Sequence, residues 1–272
     1  MKKKYFLFIL IAISFIGCQD VVDVDLNSAP PKLVIDASID WQKGTTGNIQ
    51  MIKLSTTTDY YSNQIPIVSG ATVYITNSEN VIFNFIENGN SGKYICMDFA
   101  PVINEVYTLT ILYNGQSYSA KETLKSVAPI IDVVPNNDGG FTGKTIEIKT
   151  YFKDPDVEEN YYLFKYKYSN QVKLNYNVEE DKFFQGNTFF SISRNNDLKV
   201  GDVIEVSHFG ISKSYYNYMS VLLSIAGNSG GSPFQSPPAT VRGNIVNTTN
   251  PENYALGYFR LSEVDSRKHI IE

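Results

Sequence analysis

The chain has 272 residues, with 23 Lys and Arg against 28 Asp and Glu, a formal net charge of −5 and an aromatic content of 13%. The acid excess disfavours nucleic acid and anionic lipid surfaces as partners. Two cysteines and two histidines leave no Cys/His metal set, and paired phosphate-binding glycines and a dinucleotide fingerprint are both missing.

Residues 1–17 open with Lys2-Lys3-Lys4, continue as an apolar stretch from Tyr5 to Ile16 relieved only by Ser14, and end at Gly17. A basic start, a short apolar segment and a small residue before a cut make a secretory signal. Twelve residues at about 1.5 Å rise fall short of a hydrocarbon core of roughly 30 Å, so a permanent transmembrane helix is not expected. Phe15-Ile16-Gly17-Cys18 resembles a bacterial lipobox, with Phe15 where leucine is usual, which makes Cys18 the expected lipidation site. The competing readings of Cys18 are a small buried thiol and a disulfide with Cys96. Removing residues 1–17 deletes three lysines and no acids, leaving 20 basic and 28 acidic groups and a net charge of −8. Residues 18–31 form an acidic and proline-containing tether, "CQDVVDVDLNSAPP". Its acids resemble the export signal that carries Bacteroidota lipoproteins to the outer face of the outer membrane; a plain solvated tether is the alternative.

Residues 32–127 read as a β-sandwich domain of immunoglobulin-like or transthyretin-like type. "KLVIDASI", "MIKLS", "ATVYIT", "VIFNFIE", "KYICM" and "EVYTLTILY" are short runs rich in Val, Ile, Tyr, Phe and Thr. In the last of them Val106, Leu109 and Ile111 are set against Tyr107, Thr108 and Thr110, with a slip at one end. Asn114-Gly115, between two alternating runs, is the sequence of a two-residue type I′ hairpin. Cys96 sits among strand residues, as an inert buried thiol does.

The prolines, paired asparagines and Gly-Gly of "SVAPIIDVVPNNDGG" mark a boundary near residue 128. Residues 128–272 then read as a second β-rich domain with one amphipathic helix near 214–226. Its strands are "KTIEIKTYFKD", "NYYLFKYKYS", "KLNYNVEE", "NTFFSISR" and "DVIEVSHFGI". Tyr162, Phe164, Tyr166 and Tyr168 share one face while Lys165 and Lys167 share the other. Tyr215, Tyr218, Met219, Leu222, Leu223 and Ala226 form a stripe of period 3.6, with Ser214 to cap its start and Gly227 to end it. The stripe is expected to pack across the second sheet. "YALGYFRLSEV" alternates like a closing strand.

Candidate chemistry fails on its surroundings. "GNSGG" offers Ser229, and Asp265 and His269 follow it in the order of an α/β-hydrolase. A nucleophile elbow needs a strand before the serine and a helix after it, and here the helix comes first. His208, 21 residues before Ser229, lies too close to belong to the other barrel of a trypsin-like enzyme. Asp154, Asp156, Glu158 and Glu159 cluster as cation ligands do, without the glycine and glutamate of an EF-hand, and read as a solvated turn shaped by Pro155. Glu179 and Glu180 are strand neighbours pointing to opposite faces, unable to flank one glycosidic bond. The chain is therefore expected not to be an enzyme and to need no cofactor or metal. Exposed rings such as Tyr60, Tyr61, Tyr215 or Tyr216 could instead stack on a ligand.

"LVIDASI", "PIVSGATVYIT", "GKYICM", "YTLTILYNGQSYSA", "DPDVEENYYLFKY", "SKSYYNYM", "GGSPFQSPPATVRGNIVN" and "ALGYFRLSEV" together resemble the Bacteroidota lipoprotein family catalogued as domain of unknown function 4249. The most specific part is the succession Pro233-Phe234, Pro237-Pro238, Gly243-Asn244-Ile245 and Leu256-Gly257-Tyr258-Phe259. The resemblance implies a surface lipoprotein of the outer membrane, partnering a TonB-dependent receptor in nutrient uptake and meeting a small ligand such as a peptide, glycan or chelate. It brings no catalytic residues. A structural subunit of another outer-membrane assembly and a surface hydrolase are the alternative functions.

Overall fold

A computed structural model describes residues 30–59, 62, 64–140, 143, 145–227 and 241–272. The expected signal segment, Cys18, the tether up to residue 29, Tyr60, Tyr61, Ser229 and the prolines between 233 and 238 lie outside the described residues.

Residues 31–272 form a compact unit that is mainly β, with a large mixed sheet, a small sheet and one α-helix among the described residues. The first strands are β1 (Leu33–Gln42), β2 (Gln50–Thr56), β3 (Thr72–Thr76), β4 (Ile82–Glu87), β5 (Lys93–Cys96), β6 (Val106–Tyr113) and β7 (Gln116–Thr123). Each follows a run read as a strand from alternation. Ile35, Ala37 and Ile39 of β1 point inward with Ile52 and Leu54 of β2, Val73 and Ile75 of β3, and Leu109 and Ile111 of β6. Each large apolar side chain so enclosed contributes about 1.5–3 kcal/mol. The slip in β6 falls at its start: Tyr107 is buried with Leu109 and Ile111, while Val106 is exposed. The Tyr107 hydroxyl makes burial tolerable by donating to the Ala100 carbonyl (2.8 Å) and accepting from the Val102 N–H (3.0 Å). Asn114 and Gly115 both have positive φ, 49° and 71°, and Tyr113 faces Gln116, as the type I′ turn requires.

The stretch whose prolines and asparagines mark the expected boundary near residue 128 is largely a strand. β8 (Ile130–Gly139) pairs with β9 (Thr145–Lys153), which pairs with β12 (Thr188–Arg194), in a three-stranded sheet. β8 lies at the edge of that sheet, where Pro135 deprives the ladder of one donor at little cost. The large sheet continues through β10 (Tyr161–Tyr168), β11 (Asn175–Glu180), β13 (Val203–Ile211), β14 (Val246–Asn247) and β15 (Leu256–Ile270). Its order is β11-β10-β13-β15-β1-β2-β5-β4-β3-β6-β7-β14. β15 runs parallel to β1, with Val34 opposite Leu256, and antiparallel to β13, with His208 opposite Asp265.

The second core lies between the small sheet and the β10–β13 part of the large one. Tyr162, Phe164, Tyr166 and Tyr168 are buried there with Ile148, Phe152, Ile204 and Val206, while Lys167 on the opposite face of β10 is exposed. Across the sheet, Leu163, Phe209, Ile211 and Val264 pack beneath the helix α1 (Lys213–Gly227), with Met219 as its buried contact. The helix thus covers the large sheet on the face away from the three-stranded one. Its cap is Ser212 rather than Ser214: Ser212 Oγ accepts the Tyr215 N–H (3.2 Å) and donates to Glu122 (2.8 Å).

The Gly243-Asn244-Ile245 and Leu256-to-Phe259 motifs meet at the start of β15. A Cβ on Gly243 would overlap the Gly257 carbonyl, and one on Gly257, whose φ is 102°, would overlap the Ile35 carbonyl. Asn244 then acts as a strand partner, its Nδ2 donating to the Phe259 carbonyl and its Oδ1 accepting the Phe259 N–H, both at 2.9 Å. Ile245 enters the first core. Asn244→Ala strands both backbone groups, and urea unfolding is expected to show a loss of about 1–3 kcal/mol.

Candidate functional site

The alternation that sends Ile35, Ala37 and Ile39 inward sends Asp36, Ser38 and Asp40 outward. These residues, with Met51 and Lys53 of β2, form one wall of a cleft of about 1210 Å³. The facing wall is Leu163 and Lys165 of β10, Asn175, Tyr176 and Asn177 of β11, and Tyr215, Met219, Leu222, Leu223 and Ala226 of α1. The helical stripe legible in the sequence therefore divides. Met219 is core, whereas Leu222 is 38% exposed and looks into the opening.

Arg260 of β15 lies between the walls, 6% exposed. Its Nη1 donates to Ser262 Oγ (2.8 Å) and pairs with Asp40 (2.7 Å), two residues along β1 from its register partner Ser38. The guanidinium sits 5.0 Å from the Phe209 ring centre and 5.4 Å from that of Tyr215. Burial, the largest influence, pulls its pKa down, but Asp40 and Tyr215 outweigh it and raise the value above the usual one. Its Nε is buried and without a partner.

The cleft carries Lys53, Lys165, Lys173, Arg194 and Arg260 against Asp36 and Asp40, a local basic excess in an acidic chain. Lys53 spends itself on Asp36 at 3.6 Å and Arg194 on Glu147 at 2.7 Å. Among the described residues, neither Lys165 nor Lys173 has a carboxylate partner within 4.0 Å. Lys165 lies over the Phe209 ring at 5.3 Å. Arg260 was not singled out in the sequence, where it is one residue of an alternating run that reads as a closing strand. The available signal was a lone arginine inside a run of strand formers, which is costly to bury unless paired.

The sequence candidates for catalysis do not converge among the described residues. Asp265 accepts the Ile130 N–H (2.7 Å), and His269 lies four positions, roughly 13 Å, further along the strand. In the acidic turn Asp154 is buried, accepting the Tyr162 hydroxyl (2.5 Å) and the Gly186 N–H (3.1 Å), while Asp156, Glu158 and Glu159 stay exposed. Glu159 meets Lys213 at 3.5 Å. No group of three His, Cys, Asp or Glu suited to a metal occurs among the described residues. Glu179 turns to Ser191 at 3.2 Å, and burial raises its pKa. Cys96 is a buried free thiol, pushed up to about 11 by burial, with its Sγ 3.1 Å from Asp98.

His208 is fully buried, stacked on Phe164 at 4.1 Å and flanked by Phe152 and Tyr162, both at 4.8 Å. Burial pulls its pKa down to about 3, with the Ala128 backbone acting in the opposite direction. The imidazole is thus a neutral core ring.

The fold and cleft define a mainly β protein with a solvent-open pocket beside the helix α1. The chain belongs to the family described as Domain of unknown function (DUF4249), whose model matches residues 19–268. No curated protein matches it. Similar solved structures include a cytokine receptor complex, at 7% identity, covering 68% of this chain and 86% of that one, with a TM-score of 0.27. A two-domain fibronectin type III segment of chicken tenascin matches at 9% identity, 66% and 90% coverage and a TM-score of 0.22. A DUF4785 family protein of Legionella pneumophila matches at 8% identity, 65% and 52% coverage and a TM-score of 0.25. At these TM-scores the likenesses carry no argument about function.

Two outcomes follow from the buried charges. Asp40→Ala leaves the Arg260 guanidinium buried without its carboxylate and is expected to cost about 3 kcal/mol in urea unfolding. Arg260→Met, which leaves only the half-exposed Asp40 carboxylate, is expected to cost about 1 kcal/mol. For His208, the folded pKa lies below the ordinary 6.5, so the unfolded chain takes up the proton first as pH falls. Its contribution is intact above pH 6.5 and is lost toward pH 3. The stability difference between wild type and His208→Leu should fall by about 1.4 kcal/mol per pH unit between about pH 6 and pH 4, measured as urea midpoints.

Proposed function

We propose that the chain is a lipid-anchored outer-membrane lipoprotein that acts as a non-catalytic binding partner of a TonB-dependent receptor in nutrient uptake. The observation that carries the binding role is the open cleft of about 1210 Å³, which the fold walls with both apolar and charged side chains and leaves unfilled. Specific small-molecule sites are concave, mostly apolar and fitted with a few polar groups. The lipobox-like Phe15-Ile16-Gly17-Cys18 supports the anchor, and the acidic residues that follow support an extracellular position. Family membership supports the receptor as partner, through the resemblance already described.

Expression in a Bacteroidota host with an affinity tag tests the three parts separately. Metabolic labelling with an alkynyl fatty acid should mark the wild type and not Cys18→Ala. Proteinase treatment of intact cells should remove the chain, whereas protection would place it on the periplasmic side. Capture in mild detergent should retain a receptor barrel. A lipidated chain that elutes alone would overturn the partnership, and retention of another outer-membrane assembly would favour the structural-subunit alternative.

A further inference from the structure

We propose that the cleft takes an amphipathic anion: an apolar body against the helix, with a carboxylate-type group held among Lys165, Lys173 and Arg260. The proposal rests on reading the cleft as a binding site and adds the chemistry of its occupant.

Three features of the cleft support it independently. The first is polarity by wall. Leu222 and Leu223 offer apolar surface backed by the buried Leu163 and Met219, and Leu222 is held partly in water, where covering it would contribute favourably. The second is charge. Five basic side chains face two acidic ones in a chain whose overall balance is −5, so the cleft is a basic pocket in an acidic surface. Three of the basic groups are paired, Lys53 with Asp36, Arg194 with Glu147 and Arg260 with Asp40, while Lys165 and Lys173 have no carboxylate partner among the described residues. The third is Arg260, nine-tenths buried and lining the same cleft, with Asp40 and Ser262 sharing Nη1 and with Nε unpartnered. A guanidinium in this state retains donors for an incoming anion in a setting where charge is poorly screened.

A cation is the opposite choice, since Asp36 and Asp40 are exposed and the rings of Tyr176 and Tyr215 line the cleft. It fits less well: Asp36 already meets Lys53 and Asp40 already meets Arg260. Entry of a cation would also bring a positive charge toward two lysines with no carboxylate to offset them. Apolar volume alone does not discriminate between the two, so the test holds the apolar body constant and reverses the charge.

Decanoate and decylammonium provide that pair, titrated calorimetrically below their micellar concentrations into the full chain carrying Cys18→Ser, purified without lipid. Decanoate should bind at least about tenfold more tightly than decylammonium. Lys165→Gln with Lys173→Gln, both at positions in contact with water, should weaken decanoate about tenfold and leave decylammonium unweakened. Leu222→Asp should weaken decanoate through the apolar wall, again by about tenfold, because it adds a like charge beside the site. Equal or tighter binding of decylammonium, no heat from decanoate, or decanoate binding indifferent to the lysine pair would overturn the assignment. Receptor capture is scored separately. A chain that retains its receptor but shows no charge preference loses the ligand class alone, and one that binds decanoate without a receptor loses the partnership alone.

Discussion

The structure depends on the insertion of β15 between β13 and β1. One of its edges is paired with β1 in a parallel ladder over residues 256–264 and the other with β13 in an antiparallel ladder over residues 264–270, and residues Tyr258 to Val264 are buried on both faces. A strand in that position has no wet side on which to leave a polar group. Its polar residues must then find partners inside: Arg260 takes Asp40 and Ser262, and Glu263 takes Lys43 at 2.7 Å and the Val127 N–H at 3.0 Å. The same strand supplies Phe259 and Leu261 to the first core and Val264 to the cluster beneath the helix. Removing β15 would open each of these at once.

The cleft is a by-product of this arrangement. Because β15 ties the second half of the sheet to β1, the outward face of β1 and β2 stands opposite α1 with a gap that neither element fills. The aromatic content is largely spent elsewhere: Tyr162, Phe164, Tyr166 and Tyr168 are enclosed in the second core. Among the described residues, the rings bordering the cleft are Tyr176, Tyr215 and the buried Phe209, and Phe209 already carries two cations near its ring. Charge and apolar surface therefore do more at this site than stacking does.

Local patterns were legible and long-range pairings were not. Alternation located β1 to β7, and Asn114-Gly115 located their tightest turn, because both signals are written within a few residues. The 3.6-residue stripe located α1, though it could not tell that Met219 would be buried and Leu222 half-open, since that depends on what stands opposite. The expected boundary near residue 128 fell on a stretch whose prolines and asparagines suggest a loop, and an edge strand tolerates them. The two principal cores do divide near that point, with Leu124 in one and Val127 in the other, yet Ile245, Ala255, Phe259 and Leu261 return to the first. Arg260 was invisible as a site residue for the same reason: its partner Asp40 is distant in sequence, and no local period records it.

The placement of β15 also orders events in time. Lys43 and Glu263, joined by a hydrogen bond, are 220 residues apart, and the adjoining parallel ladder needs comparable separations. Loop-closure entropy on that scale must be overcome before those contacts contribute, which slows folding. Until residues 256 to 264 have arrived, β1 presents an unpaired edge alongside β2, the kind of edge on which chains stick to one another. The first half of the molecule is thus incomplete while the second is being made, and any agent that holds the chain during synthesis or transport must guard that edge until the last strand is in place.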